Sequence, residues 1–255
     1  MGTIAEDTAL AVASEFLYHF LAAAVSDPFM SDVSLVLNAD GRRLAISATE
    51  LLRQEASESP IPLGFGELPP SRLDWTSLSI DAPLSLNDLR AAHADVFGLV
   101  LPRECPPYET EYCSSAEAFF RAQQLADIAG FYRAFGIQTT HASPERPDHL
   151  ALELEFMAFL LRKERLACTA EQTCVCADAQ RSFLRDHLAW WVPSFAAGLR
   201  RKAERGFYAT VAQVLAAFMP AERARLGVAA PSLPMRPALI ERPEEQAGCT
   251  GCVAT

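Results

Sequence analysis

A chain of 255 residues is long enough to bury a sizeable core, as one large domain or two small ones. Half of its residues are hydrophobic, which excludes a disordered chain. A net charge of −10, with no Lys/Arg cluster interleaved with aromatics, excludes nucleic acid as the expected partner; an acidic surface suits a basic peptide.

In chain order, residues 8–25 read as an alanine-rich amphipathic helix with Phe16, Phe20 and Leu21 on its apolar side. Residues 17–25, the most apolar run, are interrupted by His19 and fall short of the roughly 18 residues a membrane span needs. No basic region precedes an apolar one at the N-terminus, so no export signal is read and the expected location is the cytoplasm. Residues 34–37 are a short apolar run that fits strand or helix equally. Residues 43–55 read as a helix, and residues 58–74, rich in Pro and Gly, as a long loop. Gly64-Phe65-Gly66 starts like a dinucleotide loop, but Pro69 stands in the last glycine position and no strand precedes it, so phosphate binding is not expected there.

Ser85 to Asp88 opens a helix running to about Val100. Ser114 and Ser115 followed by Glu117 start another, ending at Phe135 before Gly136, where a C-terminal glycine belongs. The connection 136–147 divides a larger N-terminal from a smaller C-terminal group of helices. Pro147 breaks the preceding structure, and Asp148 takes the position of an N-cap for a helix whose apolar stripe is Leu150, Leu154, Met157 and Leu161. Residues 178–202, with a kink at Pro193, and 207–218, stopped by Pro220, complete the expected helices. Phe183, Leu184, His187, Trp190 and Trp191 share one broad face, read chiefly as core, with Trp191 toward its exposed edge. The expected fold class is all-α: a helical body over 1–228 and an extended, Pro-rich, cysteine-containing tail over 229–255.

Three segments carry a family resemblance. Pro147-Asp148-His149 followed by Glu153-Leu154 and Phe156-Met157, the upstream Pro106-Pro107-Tyr108-Glu109-Thr110-Glu111-Tyr112, and His187-Leu188-Ala189-Trp190-Trp191 through Phe195 resemble signatures of the TorD/DmsD/NarJ family, in matching order and spacing. The resemblance spans roughly residues 16–219. It implies a TorD-like helical bundle with a hinge at about 136–147, and a non-catalytic cytoplasmic chaperone, monomeric or homodimeric. Its implied partners are the apo catalytic subunit of an exported molybdenum enzyme of the dimethyl sulfoxide reductase type and that subunit's twin-arginine signal peptide. Cofactor insertion would be assisted and export delayed. Carried over residue by residue, the implied client-binding positions are Pro147, Asp148 and His149, with Glu109, Tyr112 and Tyr108 as weaker candidates.

Beside that stand two readings of the residues themselves. Tyr108, Glu109, Glu111 and Tyr112 form either a loop whose rings plug the core or a groove whose carboxylates meet arginines. The cysteines Cys174, Cys176, Cys249 and Cys252, the first pair placed in an interhelical connection, supply four thiolates that suit zinc or an iron–sulfur centre; the alternative is free thiols in a reducing compartment. This makes a cysteine-centred metal or redox protein the alternative function, although no cofactor is required by the resemblance. No Gly-x-Ser-x-Gly elbow or His-Glu-x-x-His helix is present, and the five histidines are scattered, so no active site is assembled.

Overall fold

The computed structural model describes residues 4–56, 61–76, 84–98, 104–113, 118–137 and 145–231. Among them every regular element is helical, and the one strand-like pairing is an isolated antiparallel bridge between Tyr108 and His149. The helices are α1 (Ile4–Val25), α2 (Ser34–Leu37), α3 (Ala39–Ala56), α4 (Leu86–Phe97), α5 (Ala118–Ala134), α6 (Leu150–Arg165), α7 (Ala170–Phe183), α8 (Val192–Lys202) and α9 (Phe207–Leu226). The 34–37 run resolves as helix.

α1 packs chiefly on α6 and α3, α6 also on α7, and α8 on α9. Leu17, Leu21, Leu154, Met157, Phe183, Trp191, Phe195 and Phe218 belong to one shared core, so helices on both sides of the 136–147 connection are buried together. Residues 138–144 of that connection lie outside the described set. Contrary to the sequence reading, the stretch Asp7–Val25 is long and apolar enough by composition to cross a membrane. Its second half is instead buried in the core: Leu17, Tyr18 and residues 20–25 face other helices.

Several helix ends follow local chemistry. Ser85 caps α4, its hydroxyl accepting from Asp88 N at 3.1 Å. Gly136 follows α5 with a φ of +77°, a region that disfavours any side chain. The segment expected as one kinked helix over 178–202 is broken before Pro193. α7 starts earlier, passes into a π-helical turn at Leu184–Leu188, and yields to α8, which carries Pro193 in its first turn, where no helical hydrogen bond is lost.

Pro220 does not stop α9, which continues to Leu226. A proline inside a helix removes the donor that residue 216 would receive. Here the freed Ala216 carbonyl accepts from Leu68 N at 2.8 Å, so the loop 61–76 supplies what the helix lost. The same loop is stapled to α9 by Arg223, whose guanidinium donates to both Glu67 oxygens (2.8 and 2.6 Å) and to the Pro62 carbonyl. Both partners of that ion pair are buried. At Gly66 a Cβ would lie 2.4 Å from the Pro193 carbonyl, so this glycine lets the loop backbone touch the start of α8. The loop is thus an integrated wall of the core.

Candidate functional site

The three motif segments meet. Backbone pairing ties the first to the second: Glu109 N donates to Asp148 O at 3.0 Å and Leu150 N to Pro107 O at 2.9 Å. The third comes in on the turn after α7, where His187 and Trp190 face Glu109. Trp190 Nε1 donates to Glu109 Oε1 at 2.8 Å, Gln124 of α5 donates to the same oxygen at 2.7 Å, and His187 Nδ1 lies 3.2 Å from Oε2. Trp191 Nε1 donates to Glu153 Oε2 at 3.2 Å. Four stretches distant in sequence, counting α5, are thereby knotted around buried carboxylates.

Asp148 does not cap α6. The cap is His149, whose Nδ1 accepts from Ala151 N at 3.2 Å, and a nitrogen that accepts carries no proton. Burial pushes the His149 imidazole below its ordinary range, which agrees with that neutral form. Asp148, one residue earlier, is fully buried and points the other way, into the Pro-Pro-Tyr segment. Its Oδ2 accepts from Thr110 N (3.1 Å) and Thr110 Oγ1 (2.8 Å), and Arg146 closes both oxygens with Nε at 2.9 Å and Nη2 at 2.7 Å. The spacing that suggests a cap is off by one residue because both side chains can bond backbone amides.

Glu109 and Tyr112 are also fully buried. Tyr112 packs on Trp191 with centroids 5.2 Å apart, so the core-plugging reading of that ring is the one observed. Tyr108 is half-buried: its hydroxyl donates to Glu145 Oε1 at 2.7 Å, its ring meets His149 edge-on, and the Arg146 guanidinium lies 4.5 Å above it. Pro147 keeps its carbonyl for the Tyr132 hydroxyl, 2.9 Å away. Of the six client-binding candidates, only Tyr108 and Pro147 reach the surface appreciably. Trp191 is buried, and Trp190 is the partly exposed member of that pair. The reason is the π-helical turn, which rotates the face by one extra residue.

Glu153, quoted in the first motif but not among the expected client-binding positions, interrupts the buried face of α6 one turn after Leu150. It is fully buried, and burial pushes its carboxyl well above the ordinary carboxylate range, with the charges of Glu109 and Asp148 adding to the rise. Burial raises Glu109 as well, against the opposing pull of His187 and the donors on Gln124 and Trp190. The other oxygen of Glu153, Oε1, is buried with no hydrogen-bond partner, so its carboxyl is held by the Trp191 donor alone. His187 completes the knot: its Nε2 stands 3.3 Å from Asp127 Oδ2, without the alignment of a hydrogen bond. Glu109, Asp148 and Glu153 each accept at least one hydrogen bond from another segment, and all three are buried. Arg146, Thr110, Gln124 and Asp127 join the site without having been expected there. Two of them have a sequence signal: Thr110 lies inside the Pro-Pro-Tyr motif and Arg146 beside the Pro-Asp-His motif.

The cysteines fall differently from the sequence reading. Cys174 and Cys176 lie within α7, not in a connection, and two residues apart on a helix point to opposite sides: Cys174 is exposed and Cys176 buried. Cys249 and Cys252 lie outside the described residues. Among the described residues no group of three or more His, Cys, Asp or Glu could hold a metal ion.

The nitrate reductase delta subunit family matches residues 71–197, a span that holds all three segments of the knot up to Phe195. The chain is similar to that family over about half its length. The chain is similar to the selenate reductase assembly chaperone protein of Thauera selenatis, 37% identical over 110 residues that cover 43% of this chain and 56% of the relative. It is also similar to the chlorate reductase assembly chaperone protein of Ideonella dechloratans, 35% identical over 104 residues (40% and 53%). A third relative is the chaperone protein TorD of Vibrio parahaemolyticus, 36% identical over 124 residues (47% and 55%). Each match spans little more than half the length of the relative.

Proposed function

We propose that this protein is a non-catalytic, cytoplasmic assembly chaperone that binds the apo catalytic subunit of an exported molybdenum enzyme and covers its twin-arginine signal peptide. The observation that carries the reading is the knot itself. The residues of the three motif segments are spent on locking distant stretches together, and the titratable groups among them are buried against one another. Catalysis needs such groups turned toward a reacting atom. Shape-holding needs them where they are.

The exposed rim of the knot supplies the recognition surface. Tyr108 and Arg146 are half-buried there, and α5 begins beside it with Phe119 and Phe120, which are 72% and 50% exposed. Arg121, the next residue, reaches Glu111 at 3.7 Å. An arginine-led peptide followed by apolar residues matches a rim that carries the half-buried Glu145 and the exposed Asp127, bordered by bare phenyl rings. Covering the signal denies it to the export machinery, and modest affinity permits release after maturation. Calorimetry with an Arg-Arg peptide carrying an apolar tail, against its Lys-Lys counterpart, tests this: tighter binding of the arginine form supports it, and equal binding of both removes it.

A further inference from the structure

Asp148, Thr110, Tyr108 and Glu111 surround one guanidinium, and it belongs to the chain itself. Arg146 presents its planar fork to both oxygens of the fully buried Asp148, its Nη2 also donates to Thr110 Oγ1 at 2.5 Å, and its Nη1 lies 3.5 Å from Glu111 Oε1. Its face rests on the Tyr108 ring. Edge, flank and face of the guanidinium are all met, which is how arginine is distinguished from lysine: an ammonium has neither the fork nor the flat face.

The surrounding pieces do not depend on Arg146 for their placement. Backbone pairing of Glu109 with Asp148 and of Leu150 with Pro107, and the bond from Thr110 N to Asp148, hold the receptor residues in register. The Arg146 side chain, in contrast, is 41% exposed on the rim. It can swing outward into water at modest cost, whereas Asp148 cannot follow it.

We propose that Asp148, Thr110 and the Tyr108 ring form a guanidinium receptor occupied at rest by Arg146, and that a partner's arginine takes the site by displacing it. This rests on the reading that the partner presents arginines. Exchange of one guanidinium for another makes and breaks similar bonds, so release of Arg146 into water lowers, without abolishing, the affinity the receptor adds for arginine over lysine. The affinity then comes from the partner's next residues, such as apolar side chains seated on Phe119 and Phe120. Internal occupancy also weakens apparent binding by the fraction of time the receptor is open. Arg146 therefore keeps the chaperone from holding any arginine-bearing chain indiscriminately.

Two variants test this. Arg146→Ala empties the receptor and leaves Asp148 buried without its cation; low-millimolar methylguanidinium is expected to raise its melting temperature, with methylammonium giving no comparable rise and the wild type responding to neither. Equal responses to the two cations overturn the receptor. Arg146→Lys retains a positive charge and the fold but loses the fork, and is expected to bind the Arg-Arg peptide about tenfold more tightly than the wild type, with the Lys-Lys peptide unaffected. Unchanged or weaker binding by Arg146→Lys overturns displacement. Failure of the wild type and both variants to bind the peptide at all refutes arginine-led recognition of the client, and displacement with it; the methylguanidinium comparison still decides the receptor.

Discussion

Replacing Asp148 by alanine separates a cap from a latch. A lost N-cap costs roughly 0.5–2 kcal/mol. The latch should cost more, because Asp148 accepts four hydrogen bonds, two of them from a cation and two from Thr110. Removing one partner of a buried ion pair costs about 3–5 kcal/mol. Arg146 is 41% exposed and can be rehydrated, so the expected loss is lower, about 2–4 kcal/mol, much of it from the amide and hydroxyl of Thr110 left without an acceptor. For a body of this size that is a fall in melting temperature of about 4–16 °C. Urea unfolding of the wild type, Asp148→Ala, Arg146→Ala and the double variant gives the free energies and their coupling. The expected coupling is about 1–3 kcal/mol, and His149→Ala, which removes the true cap, should cost about 1 kcal/mol. A loss below about 1 kcal/mol for Asp148→Ala, or additivity of the two single variants, would refute the latch.

Burial raises the Glu153 carboxyl, so the stability tied to its protonated form is fully present below the unfolded carboxylate range and is lost as the pH rises through the folded value. Glu153→Gln should therefore match or exceed wild-type stability at pH 7.5 and lose less between pH 5 and 8, measured by thermal melts; a loss of several degrees at pH 7.5 contradicts the raised carboxyl. Thiol labelling followed by mass spectrometry should modify Cys168 and Cys174, which are exposed, long before Cys105, whose thiol burial pushes up to about 12, and Cys113, pushed up to about 11. Uniform labelling rates would show that the Pro-Pro-Tyr segment opens in solution. Gly198→Ala should destabilise by about 1–3 kcal/mol or more, since its Cβ would stand 2.0 Å from the Glu104 carbonyl; unfolding at the wild-type urea midpoint would contradict that close approach.

The helices are legible because their apolar periodicity survives in the chain: α1, α3, α4 and α6 lie where the stripes put them, although the cap of α6 falls one residue later than read. The differences have local causes. Pro220 reads as a stop because the donor that rescues Ala216, Leu68 N, is far away in sequence. The π-helical turn after α7 has no sequence signature of its own, so the facing of Trp190 and Trp191 is exchanged. At the site, the motifs point to the right segments but not to their state. Nothing in the order of residues says that Glu109 and Asp148 are buried, since burial is decided by partners such as Gln124, Arg146 and Trp190 that converge only on folding. Conversely, Cys174 and Cys176 read as part of a connection because the Thr169 cap and the helix that follows it are not evident from periodicity; the helix turns the two thiols apart.

Whether this chain holds an immature molybdoenzyme catalytic subunit through its signal peptide is tested most directly by capture. Tagged protein is co-produced with the apo subunit, with the apo subunit lacking its signal, or with the cofactor-loaded subunit, and retention is quantified by mass. The expected result is strong retention of the complete apo form, reduced retention without the signal, and release of the loaded form. Equal retention of all three, or of none, would contradict it.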